Sequence, residues 1–590
     1  MAHQFHIPVL GLGFSIDTPL KVARYGISSV VSIVDDELTE RMRKYHSQLN
    51  LIPFYPIDKK TENSRTKRIA AYLNLLQDLV DEQFEALKQQ EFVAGSDICR
   101  YFELLPDEAV IKQGYELMME YPEGVSKKIF QDRLRQSMKK GNIDVNIMAK
   151  VDKLNFDAQG NYLGDENTDA LSALRAFAES KINAAVVLSA GMNPRLYSYI
   201  EKFENFNPNS NGTFDKRIIL KVSDFRSALI QAKFLAKKGL WVSEFRIESG
   251  LNCGGHAFAT DGFLLGPILE DFKQNRLQMQ QELQELYTKT LAAKGINLGK
   301  LPQQKVTVQG GIGTAQENKF LLKYFNLDAT GWGSPFLLVP EVTNVDEHTL
   351  LKLADAKEED YYLSNSSPLG VLFNNFKYSS AEQQRLDRIA AGKPGSPCTK
   401  KYLVSNTEFT KEPICTASSK YQKLKIKQLN SQDLAPEAYQ EAYHKITEKV
   451  CLCEGLCTST YIKTNTLKPK ESAAVAICPG PNLAFFNKVY SLDEMVKHIY
   501  GSVNLLEKVQ RSHMFINELN LYIDYLQEEV QTYLNNVNEK KKKHLDNFKV
   551  QLENGIAYYK KMFGEISGNF STEVKTDLLN SEKRLLNMTI

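Results

Sequence analysis

The 590-residue chain contains no run of about eighteen apolar residues, the length a helix needs to cross a bilayer, so no transmembrane segment is expected. Its start, MAHQFHIPVLGLGFSIDTPL, lacks a basic stretch followed by a long apolar core, so it does not read as a signal peptide. Charge of one sign is missing as well. With 73 basic against 71 acidic residues the formal net charge is +2, which gives no support to a nucleic-acid footprint. The eight cysteines are sparse over most of the chain, which argues against a secreted disulfide scaffold. No repeat of solenoid length is visible. These absences predict a cytoplasmic protein with no membrane or nucleic-acid partner.

What is present is ordinary for a folded chain: 43% apolar and 24% charged residues. The length exceeds one hydrophobic core and predicts two to four domains. Two short apolar runs, His6 to Phe14 and GISSVVSIV from Gly26 to Val34, flank the helix-periodic TPLKVARYG. That strand, helix, strand rhythm predicts a parallel α/β sheet. Between Asp35 and about Lys150 the pattern is polar and helical, as in TKRIAAYLNLLQDLVDEQFEALKQQEF. The α/β rhythm resumes at LSALRAFAESKINAAVVLSAG, with KRIILKVSD, WVSEFRIES, KVTVQGG and LDATGWGSPFLLVPE as further strand candidates. The expected division is 1–35 as the first part of a barrel, 36–150 as a helical insertion and 151–390 as the remainder of the barrel. A cysteine-containing extension then spans 391–490 and a helical region 491–590.

Two glycine clusters follow late strands: VTVQGGIGT at 306–314 and DATGWGSPF at 328–336. Amide groups in such turns, next to helix N-termini, make anion sites. In a (β/α)8 barrel the loops after strands seven and eight are a common place for phosphate. With them goes SGLNCGGHAFAT at 249–260, a histidine directly behind two glycines that let something large approach the main chain.

In order and spacing these loops resemble the superfamily of nitronate monooxygenases (2-nitropropane dioxygenases) and flavin-dependent enoyl-acyl carrier protein reductases. Gly310, Gly311 and Ile312 match its Gly-Gly-Ile loop, and Asp328, Gly333, Phe336, Pro340 and Glu341 its last strand, with Ser334 for the usual threonine. Gly250 to His256 matches its Gly-Gly-His loop, SAGMNP its Gly-Asn-Pro loop, KRIILKVSD the strand after that, and PVLGLGF its first strand. The resemblance implies a (β/α)8 TIM barrel binding FMN, here with a helical insertion and a largely helical C-terminal extension. It implies cofactor contacts at Gly11, Gly191, Lys221, Ser249, Gly254, Gly255, Gly310, Gly311, Gly333 and Ser334. His256 would stand at the reacting face as proton donor or acceptor, or would only hold the phosphate or a loop carbonyl. The chain departs from the pattern at Gly13 and Phe14, which replace Pro-Met, at Ser249 for a common glutamine, and at Asn252 for the glutamate. Substrate specificity therefore does not carry over.

Six of the eight cysteines lie between Cys398 and Cys478. Thiolates gathered this way suggest zinc or an iron–sulfur cluster, with Cys451, Cys453, Cys457 and Cys478 as candidate ligands, although the C-x-C-x3-C spacing fits no common template. Packed free thiols are the alternative. Cys253 reads as a small packing residue, and YYLSNSSPLG and PGPN as ordered loops over the barrel mouth.

The leading expectation is an FMN-dependent oxidoreductase acting on a small molecule, of nitronate monooxygenase or enoyl reductase type. The alternatives are an FMN and iron–sulfur electron-transferring enzyme with the logic of glutamate synthase, and a non-catalytic barrel-derived binding or scaffold protein. The extensions would then serve a protein partner or a homo-oligomer.

Overall fold

The computed structural model describes residues 2–148, 152–157, 159–189, 191–248, 250–257, 261–534, 538–566 and 570–590. Eight short strands are β1 (Phe5–Ile7), β2 (Ser28–Ser32), β3 (Ile143–Ile147), β4 (Ala184–Leu188), β5 (Lys216–Val222), β6 (Val242–Glu248), β7 (Lys305–Gln309) and β8 (Ala329–Gly331). Each pairs in parallel with the next, and β8 returns to β1 through Phe5 with Thr330 and His6 with Gly331. The closed parallel barrel expected from the sequence is therefore present.

Successive side chains on a strand point to opposite faces. The outward set, including Ile7, Val31, Val145, Val186, Ile218, Phe245 and Val308, is buried in the main core under the surrounding helices. The inward set is unusual. Barrel lumens are ordinarily filled by Val, Ile and Leu. Here Val30, Ala185, Val187, Ile219 and Val9 form only a small apolar cluster of their own. The rest of the lumen is polar or charged. Arg246 Nε donates to Glu244 Oε1 at 2.8 Å, Arg246 Nη2 reaches Asp144 at 3.4 Å, and Thr307 Oγ1 donates to Glu244 at 2.7 Å. Towards the strand ends Lys221 pairs with Glu248 at 2.5 Å, and Gln309 Nε2 donates to Glu248 at 2.7 Å. A cavity of about 430 Å³ lies at the N-terminal end of the strands, beside Asp144, Arg217, Glu244 and Arg246. Burial raises the Asp144 carboxyl against the pull of Arg246.

Between β2 and β3 run the helices Asp36–Leu49, Ser64–Lys88, Asp97–Glu103, Val110–Glu120 and Val125–Ser137. Asp35 caps the first by accepting from the Glu37 and Leu38 amides at 2.9 and 3.0 Å. The same carboxylate holds the Lys400 ammonium and accepts from the Tyr402 hydroxyl at 3.0 Å. It thus ties the end of β2 to chain 365 residues further on.

The last three helices, Met514–Leu534, Glu539–Glu565 and Thr572–Leu586, pack on one another, and the first two also on the barrel helix Leu265–Ala293. The first amides of that barrel helix find no partners within it. Glu518 Oε2 accepts from Leu265 N at 2.8 Å and Tyr559 Oη from Gly266 N at 3.1 Å. A second anchor sits at the helix Ala315–Tyr324, which opens with a capping box of Thr314 and Glu317. Glu317 Oε2 accepts from the amides of Gly313 (2.8 Å) and Thr314 (3.1 Å), and Oε1 from Arg511 Nη1 and Met514 N, both at 2.7 Å. Both side chains of the Glu317–Arg511 pair are buried.

Two outcomes are expected. Arg511→Met leaves a buried carboxylate without its cation and lowers stability by about 3–5 kcal/mol, and adding Glu317→Gln restores part of that. Urea unfolding followed by circular dichroism measures both; equal stability of wild type and Arg511→Met would remove the pair as an anchor. The second outcome concerns acid. Burial lowers His3 and His513 to about 4 and His6 to about 3. Each is held neutral in the fold and takes up a proton near pH 6.5 once unfolded. Their contribution is whole above pH 6.5 and is lost as pH falls from there towards 4. The urea midpoint should therefore fall across that window, and less steeply in His513→Gln.

Candidate active site at the barrel mouth

β6 delivers the chain at Glu248 into a loop whose shape is set by one buried amide. Asn252 Nδ2 donates to His256 O at 2.9 Å, while Asn252 Oδ1 accepts from Gly254 N at 3.1 Å and from Asn374 Nδ2 at 2.9 Å. Gly254 and Gly255 follow at φ +115° and +79°, conformations that favour glycine. The loop does not stay open. Gly254 bridges Pro479, and Gly255 N donates to Cys478 O at 3.0 Å. On its other side His256 bridges Phe373, Ala257 N donates to Leu372 O at 2.8 Å, and Asn374 N donates to Gly255 O at 2.9 Å. The Gly-Gly-His segment is thus the middle of a small sheet whose outer members come from beyond the barrel. One of them belongs to β10 (Phe373–Phe376), paired antiparallel with β9 (Tyr361–Ser364).

His256 packs edge-on against the Phe373 ring with centroids 5.1 Å apart, and its Nε2 is 2.7 Å from Ser367 Oγ. Ser367, in the S-N-S-S-P-L loop, is fully buried. Asn252 and Ser367 were not singled out from the sequence as members of this site. Ser367 lies 111 residues from its partner with no spacing to link them. Asn252 did carry a signal, since it stands where the resembled family has an acid.

Inside this frame is a cavity of about 150 Å³. Its walls are the β1 loop (Val9, Leu10, Gly11, Leu12, Phe14), Met148, Leu337, Phe373 and the extension residues Leu403 and Leu456. Gly254, Gly255 and His256 face it, with Tyr402 and the thiol residues Cys253, Cys453 and Cys478. It is a mostly apolar chamber with one imidazole at its edge.

The other expected contacts are distributed differently. Gly11 belongs to the chamber wall. Gly191 is exposed beyond the end of β4, and Lys221 is engaged with Glu248 in the lumen. Ser249 lies outside the described residues. Gly310, Gly311, Gly333 and Ser334 come together, but protein fills the space between them. A Cβ on Gly311 would stand 2.8 Å from Leu251 Cβ, and one on Gly333 2.6 Å from Cys253 Cβ. Ser334 Oγ donates to Cys253 O at 2.9 Å and accepts from Gly480 N at 2.7 Å. Asn482 Nδ2 donates to Ile312 O at 2.8 Å and Arg511 Nη2 to Gly311 O at 2.7 Å.

The fit to FMN is therefore split. The apolar lining of the chamber suits a flat ring, but only Gly255 leaves open space beside the backbone, since Cys478 O fills the space next to Gly254. The phosphate does not fit: the segment 478–482 sits on its loops, and the neighbouring helix N-terminus already holds the Glu317 carboxylate. A second anion buried there would have no cation of its own, because Arg511 is already paired with Glu317.

The four candidate metal ligands do not converge. Cys478 O pairs with Gly255, and Cys457 Sγ lies 3.4 Å from Asp35. Among the described residues no group of three or more His, Cys, Asp or Glu is placed to hold a metal ion. Zinc or an iron–sulfur cluster on the candidates Cys451, Cys453, Cys457 and Cys478 is therefore unsupported among the described residues, and packed free thiols are the reading that remains. Burial raises Cys451 to about 11 and Cys457 and Cys478 to about 12, as befits packed neutral thiols. Cys253 is buried against Gly333, as a packing residue would be. No helix among the described residues is long and apolar enough to cross a membrane.

No protein-family model matches the chain, and no curated protein does. Solved structures do match. FabK from Thermotoga maritima is 12% identical with a TM-score of 0.31, over 66% of this chain and 82% of that one. The enoyl reductase domain of MlnA from the macrolactin biosynthesis cluster of Bacillus amyloliquefaciens is 13% identical with a TM-score of 0.32, over 74% and 87%. Nitroalkane oxidase from Streptomyces ansochromogenes is 11% identical with a TM-score of 0.29, over 65% and 87%. At such identities and scores the likeness by itself assigns this chain neither activity nor cofactor.

Proposed function

We propose that the protein is an oxidoreductase whose reaction chamber is the apolar cavity at the C-terminal mouth of the barrel. The observation that carries this reading is the chamber itself, walled by the β1 loop and the Gly254–His256 loop with an imidazole at its edge. Barrel enzymes place their chemistry at this end, and small-molecule sites are mostly apolar with few polar groups. The sequence resemblance to nitronate monooxygenases and enoyl reductases supports the same class. A flavin ring in the chamber would supply hydride or electron transfer. The chain's own contribution is different. Apolar walls exclude water, Asn252 fixes the loop, and His256, oriented by Ser367, holds or delivers a proton at the substrate.

The closed phosphate loops favour a second reading, a binding barrel without redox chemistry. Titration with riboflavin and FMN separates the two. We expect riboflavin to bind at least as tightly as FMN, read by flavin fluorescence quenching. FMN binding ten-fold tighter than riboflavin would mean that the phosphate loops open, and absence of binding by either would favour the binding barrel.

If His256 moves a proton, His256→Gln lowers turnover of alkyl nitronates or enoyl thioesters by about 10²–10⁴-fold while ring binding is kept. Unchanged turnover in that variant would remove it from the chemistry.

A further inference from the structure

Away from the chamber's histidine, two loops of the extension are held side by side. Ser396 N donates to Ala417 O and Ser419 N to Ser396 O, both at 2.9 Å. This pairing, with the reciprocal backbone bonds of Asn406 and Ile414, holds Cys398, at a left-handed φ of +56°, and Cys415 near enough for the two thiols to interact. Neither is in a disulfide. Their surroundings are unlike. Cys398 is partly exposed and close to the Lys401 amide and ammonium, whereas Cys415 is buried.

The geometry points to a thiol–disulfide exchange site for small disulfides, with Cys398 as the attacking sulfur and Cys415 as the resolving one. Exchange requires an accessible thiolate and a second thiol within reach of the mixed disulfide. The Cys398 thiolate attacks one sulfur of R–S–S–R, that bond breaks, and the departing thiolate takes a proton from water. Cys415 then gives up its proton and attacks Cys398 Sγ, expelling the second thiol. Two protein thiols are oxidised to one disulfide and one small disulfide is reduced to two thiols.

The electrostatics agree. The neighbouring Cys415 thiol and the Lys401 amide and ammonium lower Cys398 to about 7, against burial and the Glu454 carboxylate. The neighbouring Cys398, with burial, raises Cys415. Cys451 and Cys453, at the start of the helix Leu452–Lys463, are the other titratable thiols facing the pair, and burial raises Cys451 to about 11. Cys398 is therefore the one expected to ionise near neutrality.

The test uses the full chain, reduced and then exposed to 2-hydroxyethyl disulfide, trapped with N-ethylmaleimide and mapped by mass spectrometry. The expected product is a Cys398–Cys415 disulfide. Cys398 should react at least ten-fold faster at pH 7 than any other of the eight cysteines, with a rate that rises through about pH 7. Cys415→Ser should stop at the mixed disulfide on Cys398. A different fastest cysteine, absence of the linked pair in wild type, or stoichiometric zinc or iron on the purified protein would overturn the proposal. Riboflavin titration of Cys398→Ser keeps this site separate from the chamber, since loss of exchange there leaves ring binding unchanged.

Discussion

The mouth of the barrel is organised around the Glu317 carboxylate at the start of the helix Ala315–Tyr324. A helix N-terminus after a late barrel strand is where an anion would be welcomed by free amides and the helix dipole. This chain supplies that anion from its own helix and neutralises it with Arg511 from the C-terminal region. The consequences spread outward. Arg511 also donates to Gly311 O and Asn482 Oδ1, and Asn482 to Ile312 O, so the extension is bound to the very loops that would otherwise cradle a phosphate. The 478–482 segment then lies where it can pair with Gly254 and Gly255 on one side and Ser334 on the other.

The lumen obeys a related constraint. Its charges are inward-facing residues of β3, β5 and β6, largely withdrawn from solvent, and they are met by one another and by β7 side chains. Asp144 and Glu244 are met by Arg246, and Glu248 by Lys221 and Gln309. Buried pairs of this kind are costly to break and contribute little net stability when intact. Lys221, expected from its strand to meet a cofactor, is paired with Glu248 in this internal balance.

The barrel was legible in the sequence because its strands carry a local signal. Runs such as VVSIV and RIILKV are β-branched, short and bounded by turn residues, and their outward positions are buried wherever a helix covers them. The loop at 250–257 was legible as a glycine-rich turn with a histidine. What was not legible is what the glycines admit. In pattern terms Gly254, Gly310 and Gly333 read as space for a ligand, whereas the folded chain spends that space on Cys478, Leu251 and Cys253. A close approach to a backbone looks the same in sequence whether a cofactor or another segment makes it, and the segment here lies more than 140 residues after Ser334. The Asp35–Lys400 and His256–Ser367 contacts were hidden for the same reason.

The cysteines illustrate how far spacing can mislead. The C-x-C-x3-C run drew attention to Cys451, Cys453 and Cys457, yet helical geometry turns Cys457 towards Asp35. The thiols that interact as a pair are Cys398 and Cys415, whose loops are joined by the backbone pairing of Ser396 with Ala417 and Ser419 and of Asn406 with Ile414. Both systems meet in one stretch of chain. The backbone of Tyr402 and Leu403 lies beside the Cys453 sulfur, and all three residues wall the chamber. Cys398 lies only a few residues before Tyr402, so a covalent link at Cys398 would be made in the same short loop that shapes the chamber wall. The extension is therefore better understood as part of the site than as an appendage to the barrel: it closes the anion position, builds the chamber roof and carries the paired thiols.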